Sequence, residues 1–349
     1  MISFFTPFTS SHRAFQHRLT YEEVGKPCST TSKGTMQYPD PPAPRPRAPL
    51  GARVATLIAV VLPFAGFVAA VVMLWGIAFD GVHLITMLGM YLLTVFGVTV
   101  GYHRLFTHKS FEAPRIVQAF WGIVGSMAVH GNLLKWVALH RKHHQHSDDP
   151  DDPHSPHTSG NGALGIIRGA WRSHMGWFFE KDPEDLARYV PDLASDKLVR
   201  GVSTYFPLWV AIGLLIPAAI GGLVTMNWSG AILGFLWGGL ARVFIVHHVT
   251  WSINSICHLW GSKPYDSHDE SRNNPLMAFL TLGEGWHNNH HAFPASARHG
   301  LAWWQFDPSY LVIRGMELVG LARRVRVPST ERQLARRRPR PLHEGTDAC

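Results

Sequence analysis

Charge is scarce in this chain of 349 residues: Asp, Glu, Lys and Arg together make up 16% of it, against about 25% in an average soluble protein. With 46% apolar residues and long uncharged runs, that scarcity excludes an ordinary soluble enzyme. Cysteine is scarcer still. Cys28, Cys257 and Cys349 are too few and too scattered for a disulfide framework, a thiolate zinc site or an iron–sulfur cluster. No HExxH occurs, which excludes the common zinc-protease pattern, and no Ser-centred nucleophile elbow is present. Gly160–Gly165 fits G-x-G-x-x-G but follows a Pro/His/Asp-rich loop instead of a strand, so dinucleotide binding is not expected there. The first residues lack a signal peptide's charged start, apolar run and cleavage site, so removal by secretion machinery is not expected.

Organisation follows from where the charges are. Residues 1–50 read as a disordered leader, with Ser/Thr clusters and six prolines from Pro39 to Pro49, too little apolar surface to order itself; Met36 is an alternative start. Val54 to Phe79 is a run of 26 residues without charge, and Val82 to Val100 a second of 19 after a turn at Asp80-Gly81; about 20 residues of helix cross a bilayer core. Residues 201–262 hold one charge, Arg242, with a break at Thr225–Gly230 that divides them into two more spans. Four spans are expected, at about 54–79, 82–100, 202–224 and 231–251.

The net charge of +8 collects in the tails and beside the inner ends of the spans, which reads as membrane orientation and not as nucleic-acid binding. Arg45, Arg47, Arg53, Arg104, Lys109, Lys197 and Arg200 put both termini on the cytoplasmic side. Ile116 to Leu139 is a fifth apolar segment, read as interfacial because an even number of spans keeps the polar segments on one side. Residues 51–325 form the membrane domain, and 326–349 a solvated basic tail near lipid headgroups.

Histidine, with 22 copies, is the excess. Three clusters stand out: HRLFTH at His103–His108, HRKHH at His140–His144 and HNNHH at His287–His291. In the second and third, histidines at i, i+3 and i+4 share about a 100° arc of a helix and converge on a common point. His103 and His108 are five apart, so their segment must end, kink or unwind for both to face one site. Asn254 and His258 add an amide and a ninth histidine at the inner end of the fourth span. Neutral imidazole binds zinc, copper, iron or nickel, so the pattern predicts metal without choosing the element. Nine histidines are too many for one ion and suit two.

These motifs, with DPHSP at Asp152–Pro156, SHMGW at Ser173–Trp177, TWSINSICH at Thr250–His258, PYD at Pro264–Asp266 and GEGWHNNHHAFP at Gly283–Pro294, resemble the membrane fatty acid desaturases of the acyl-CoA Δ9 (stearoyl-CoA) type over roughly residues 54–325. The resemblance implies an all-α integral membrane protein whose four transmembrane helices carry a cytoplasmic helical cap, with a histidine-rich site for two iron ions. The implied ligands are His103, His108, His140, His143, His144, His258, His287, His290 and His291, with Asn254 acting through water. Trp136 and Thr250 match residues at a bend in the acyl tunnel. His130 stands where a glutamine is common on the tunnel wall, and Leu139 where an acid is usual. Val95 and Tyr91 match positions near the tunnel's closed end, about 12 and 18 Å down the second span from His103 at 1.5 Å per residue.

The implied reaction inserts a cis double bond into a saturated acyl chain, with dioxygen as co-substrate. Since the chain has no CxxC pair and no fused haem-binding module, the two electrons must come from an external donor: a ferredoxin, a flavin reductase or a b-type cytochrome. The expected location is a bacterial plasma membrane. A related hydroxylase or oxygenase would share the centre and differ in product. A metal transporter would carry its ligands near mid-membrane, whereas these clusters lie outside the spans. His146, His154, His157 and His174 are expected to hydrogen-bond around the ligands.

Overall fold

The computed structural model describes residues 46–74 and 81–339. The expected leader through residue 45 with its alternative start, the end of the first span, the turn at Asp80 and the tail beyond Pro339 lie outside them. Among the described residues no β-strand forms, and only isolated bridges interrupt the helices. Four helices are long and apolar enough to cross a membrane: Leu50–Val72, Gly81–Thr107, Phe206–Thr225 and Trp228–Leu259. Helix is what such runs must form, because hydrocarbon offers a backbone amide no partner outside its own segment.

Their ends differ from the uncharged runs, since a helix continues while its hydrogen-bond ladder and packing do. The first span begins at Leu50, inside the expected leader, because the residues before it dock on the cap: Ala48 N–H donates to the Phe179 carbonyl (3.0 Å) and Lys181 N–H to that of Pro46 (2.7 Å). The second runs past Val100 to Thr107. The third starts at Phe206 instead of 202, because Lys197–Thr204 is a separate helix capped by the Asp196 carboxylate. The fourth outruns 231–251 at both ends.

The segment 116–139 is two helices, not one. Arg115–Ser126 stops at a turn in which Val129 (φ 64°) and Gly131 (φ 100°) are left-handed, and Leu133–His146 restarts under an Asn132 cap. Its first half has 12 residues, about 18 Å of helix, too short for a core of about 30 Å. That half packs very closely on the second span: a Cβ at Gly97 would lie 2.4 Å from the Gly125 nitrogen. Small residues similarly join the third and fourth spans, where a Cβ at Gly234 would meet the Pro217 carbonyl at 2.1 Å, as is usual where van der Waals packing drives helix association.

Arg242, the lone charge of the fourth span, is fully buried. Its guanidinium donates to the carbonyls of Gly238, Met127 and Gly213, so it ties the fourth span to the third and to the turn after Ser126.

The basic tail takes a defined path through Arg338, with its side chains mostly exposed. Arg326 N–H donates to Ser110 and Ala297 N–H to Arg326. The short helix Thr330–Ala335 leads into a strap in which Asp266 N–H donates to the Arg336 carbonyl and Arg338 N–H to that of Pro264. The Arg336 guanidinium reaches the carbonyl of Ala292, so backbone pairing, not apolar burial, holds the segment.

Candidate metal centre

The second span reaches the site through a π-helical turn, Gly97–Thr107. Its i→i+5 bonding, seen in the His108 N–H donating to the His103 carbonyl at 3.1 Å, brings residues five apart onto one face. The rings of His103 and His108 are 4.8 Å apart. The five-residue spacing that an α-helix cannot use is thus a π-helical spacing.

The nine histidines do not converge on one point. They divide into two buried or half-buried sets, His103, His108, His140, His144 and His290 in one, and His143, His258, His287 and His291 in the other, with the ligand atoms of each within 4.8 Å of one another. In each cluster of three, the i and i+4 histidines join one set and the i+3 histidine the other. On a helix i+4 lies about 40° from i, whereas i+3 lies about 60° away on the opposite side. The helix His287–Ala292 faces Leu133–His146 with the pattern exchanged, so each lends two rings to one set and one to the other. The sets touch where His144 stacks on His291 (4.3 Å).

Within the first set, Nε2 of His290 lies 3.0 Å from that of His103 and 2.9 Å from that of His144, which is 3.0 Å from that of His140. In the second, the Nε2 atoms of His258 and His287 are 3.1 Å apart. Nε2 of His108, His143 and His291 is buried without a hydrogen-bond partner, at a cost of about 1–3 kcal/mol each. Burial, then repulsion between neighbouring imidazoles, holds His108, His140, His144, His287 and His290 well below the usual histidine range. Three partnerless Nε2 atoms and six more crowded together at 2.9–3.1 Å, with five of the rings held neutral, fit two transition-metal ions.

Carboxylates sit behind the rings, and the sequence reading missed them. Nδ1 of His143 lies 3.0 Å from Asp152, that of His258 2.9 Å from Asp148, and that of His291 bonds Asp269. Nδ1 of His103 lies 2.6 Å from Glu284. Each contact fixes the tautomer with Nε2 facing the site. Burial alone would raise these acids, but the paired imidazoles reverse it and hold Asp152, Asp269 and Glu284 well below the usual carboxylate range, and Asp148 at about 2. Backbone amides hold the acids in turn: Asp148 accepts from Glu270 N–H, Asp152 from the N–H groups of Asp148 and His154, and Asp269 from Ser271. Glu284 shares its charge with the buried Arg104, which also grips Asp307. The Asp-dense run after His146 was the available signal. His299, also missed, is buried 4.4 Å from the ring of His290 and 3.2 Å from Glu284, and no motif marks it.

Of the expected supporting histidines, His154 stacks near His143 (4.4 Å) and His157 bonds the carbonyl of His258 (2.9 Å). Nε2 of His146 is buried without a partner. His174 instead pairs with His248 on the fourth span (3.0 Å).

Trp136 stacks on His140 with centroids 5.0 Å apart and 13° between planes. It also packs with Tyr91, Val95, Val98, Ala128, Val246 and Leu282 in an apolar cluster, so Trp136, Val95 and Tyr91 come together. Tyr91 donates to the carbonyl of Leu280 (2.6 Å). Thr250 and Asn254 are half-buried on the fourth span, where Val246, Thr250, Asn254 and His258 recur every fourth residue, so one face of that helix runs from the apolar cluster to the second set. His130 joins neither set. Its ring lies 4.9 Å from His247 and 6.5 Å from Trp251.

Comparison with known proteins adds an independent finding. The family profile described as "Fatty acid desaturase" matches residues 81–318. The chain is 40% identical over 273 residues, 78% of its length and 85% of the relative's, to a hex-5-enoyl-[acyl-carrier protein] acetylenase of Moorena producens (strain JHB). It is 37% identical to an sn-1 stearoyl-lipid 9-desaturase of Anabaena variabilis, over 66% of this chain and 79% of that one. It is 38% identical to an acyl-CoA C20 Delta5-desaturase of Anemone leveillei, over 67% and 70%.

Proposed function

The chain belongs to the fatty acid desaturase family, and from that premise we propose that it inserts a cis Δ9 double bond into a saturated acyl chain. The substrate is an acyl-CoA, dioxygen is the co-substrate, and an external cytoplasmic donor supplies the electrons. In sum, the acyl chain, one dioxygen, two electrons and two protons give the alkene and two waters. The observation that carries the reading is Trp136, which touches both the metal-binding rings through His140 and the apolar cluster around Val95.

Two irons held by the nine histidines would supply the oxygen activation needed to remove hydrogens from an unactivated methylene pair, which no side-chain acid or base can do. The rest is positioning. Trp136 presents a flat apolar surface beside His140, and an acyl chain lying against it has the Val95 cluster for its methyl end. Thr250 faces the bend, Asn254 holds water near His258, and His130 lines the wall toward the headgroup. Carriers named for the relatives include lipid, CoA and acyl carrier protein; the extended motif match favours CoA here.

Lys and Arg at the inner ends of the spans support an orientation with the centre and both termini on the cytoplasmic side, and a bacterial plasma membrane is the expected setting. Lipid analysis of cells expressing the chain, with the double bond located by mass spectrometry, tests the reaction. A new cis-9 monoene is the expected product, and a hydroxylated or triple-bonded chain would replace the reading with an oxygenase or acetylenase. Impermeant labelling of single cysteines introduced at Gly81, Asn227 and Gly160, in a chain cleared of its own cysteines, tests the orientation. Labelling at Gly160 from outside would overturn it.

A further inference from the structure

The two histidine sets have unequal surroundings. In the four-histidine set three ligand rings are backed by an acid: His143 by Asp152, His258 by Asp148 and His291 by Asp269. In the five-histidine set one ring of five, His103, has such a partner, and Glu284 divides its charge between that ring, Arg104 and His299.

We propose that the four-histidine set is the high-affinity site that fills first, that the five-histidine set fills second and exchanges more readily, and that Asp148, Asp152 and Asp269 are the positioning residues responsible. The inference rests on the metal-binding reading above but not on the reaction. A carboxylate at Nδ1 does two things for the ion at Nε2: it keeps the lone pair there by holding the tautomer, and it makes that nitrogen more basic. Loss of one such partner typically costs 10–100-fold in metal affinity, so a surplus of two corresponds to about 10²–10⁴-fold.

The fifth imidazole of the other set works in the opposite direction. It adds a neutral donor but no charge, whereas each buried acid adds a full negative charge where attraction is several times stronger than in water. Charge therefore outweighs donor number. The acids are also fixed in advance, since backbone amides of Glu270, Asp148, His154 and Ser271 hold them in place.

The test is anaerobic titration of the metal-stripped full chain in detergent with Co(II) or Fe(II), read by cobalt ligand-field absorption and by calorimetry. Two equivalents should bind in steps at least tenfold apart. Asp269→Asn should weaken the tight step 10–100-fold and leave the weak step unmoved, and Glu284→Gln should do the reverse. A purely structural loss would move both steps together. Should Asp269→Asn not fold, Asp152→Asn carries the same expectation. His290→Ala should keep only the tight step, and His143→Ala should lose it. Two equal steps in the unaltered chain, or an Asp269→Asn effect shared by both, would overturn the inference while leaving the metal centre standing. No binding at all would overturn the metal reading and the inference with it.

Discussion

Hydropathy treats the four spans alike, yet they are two pairs. In the most apolar window of the first and third, 28% and 17% of the residues are buried within the protein, whereas in the second and fourth the shares are 50% and 56%. The outer pair shows lipid an apolar coat, with Leu57, Ile58 and Leu62 about half exposed. The inner pair extends into the cap, at 27 and 32 residues, and among the described residues it alone contains π-helical segments, Gly97–Thr107 and Phe235–Ala241. It also carries His103, His258 and the half-buried Asn254. All four helices are long enough to cross the membrane, but the inner pair takes on site building as well, and only that second task leaves marks beyond an uncharged run.

The comparison can be broken most severely at the centre. His143→Ala or His290→Ala should abolish desaturation with membrane insertion unchanged, measured as product per inserted protein; normal turnover in either would remove those ligands from the assignment. Next comes the inner packing face. Gly97→Val forces a side chain into the backbone at Gly125 and should cost more than the about 1–3 kcal/mol of ordinary overpacking, seen as lost thermal stability in detergent. Gly89, in the same span but with open space where its Cβ would lie, should accept valine with little change, and equal damage at both positions would erase the distinction between faces.

A smaller effect is expected at Val95, which is 2% exposed inside the inner cluster. A tail of nine bonds beyond the ninth carbon needs about 11 Å at the extended-chain rise, and Val95 lies in the apolar cluster that Trp136 joins to His140. Val95→Trp should therefore shift a folded enzyme from eighteen-carbon toward sixteen-carbon chains, because a filled pocket rejects added methylenes. Competition between the two substrates measures it, and an unchanged ratio would move the ruler to another helix. Smallest is Leu62→Ala on the outer pair, expected to alter stability by no more than about 0.5 kcal/mol.

Much of this was legible beforehand, because histidine spacing on a helix is itself geometry. All nine rings and their clusters could be read from residue order, as could the need to leave regular α-helix between His103 and His108, though the structure meets it with a continuous π-helix and not with the expected end, kink or unwinding. How they divide could not, since that depends on how His287–Ala292 faces Leu133–His146, a relation between distant segments. The acids stayed hidden for a similar reason: Asp269 and Glu284 reach their rings through loop conformations, and Asp148 and Asp152 look like any polar turn. Span ends and the backbone pairing at Arg336–Arg338 stayed out of reach because hydropathy reports what lipid accepts and says nothing of hydrogen bonding on the cap.

The π-helical turn also works as a gear between membrane and cap. Its i→i+5 winding takes in residues that α geometry would not, so deleting one residue between Gly97 and His103 would change the angle at which His103 and His108 leave the span. In the second span length and angle are therefore one variable, and the centre is tuned to a single value of it.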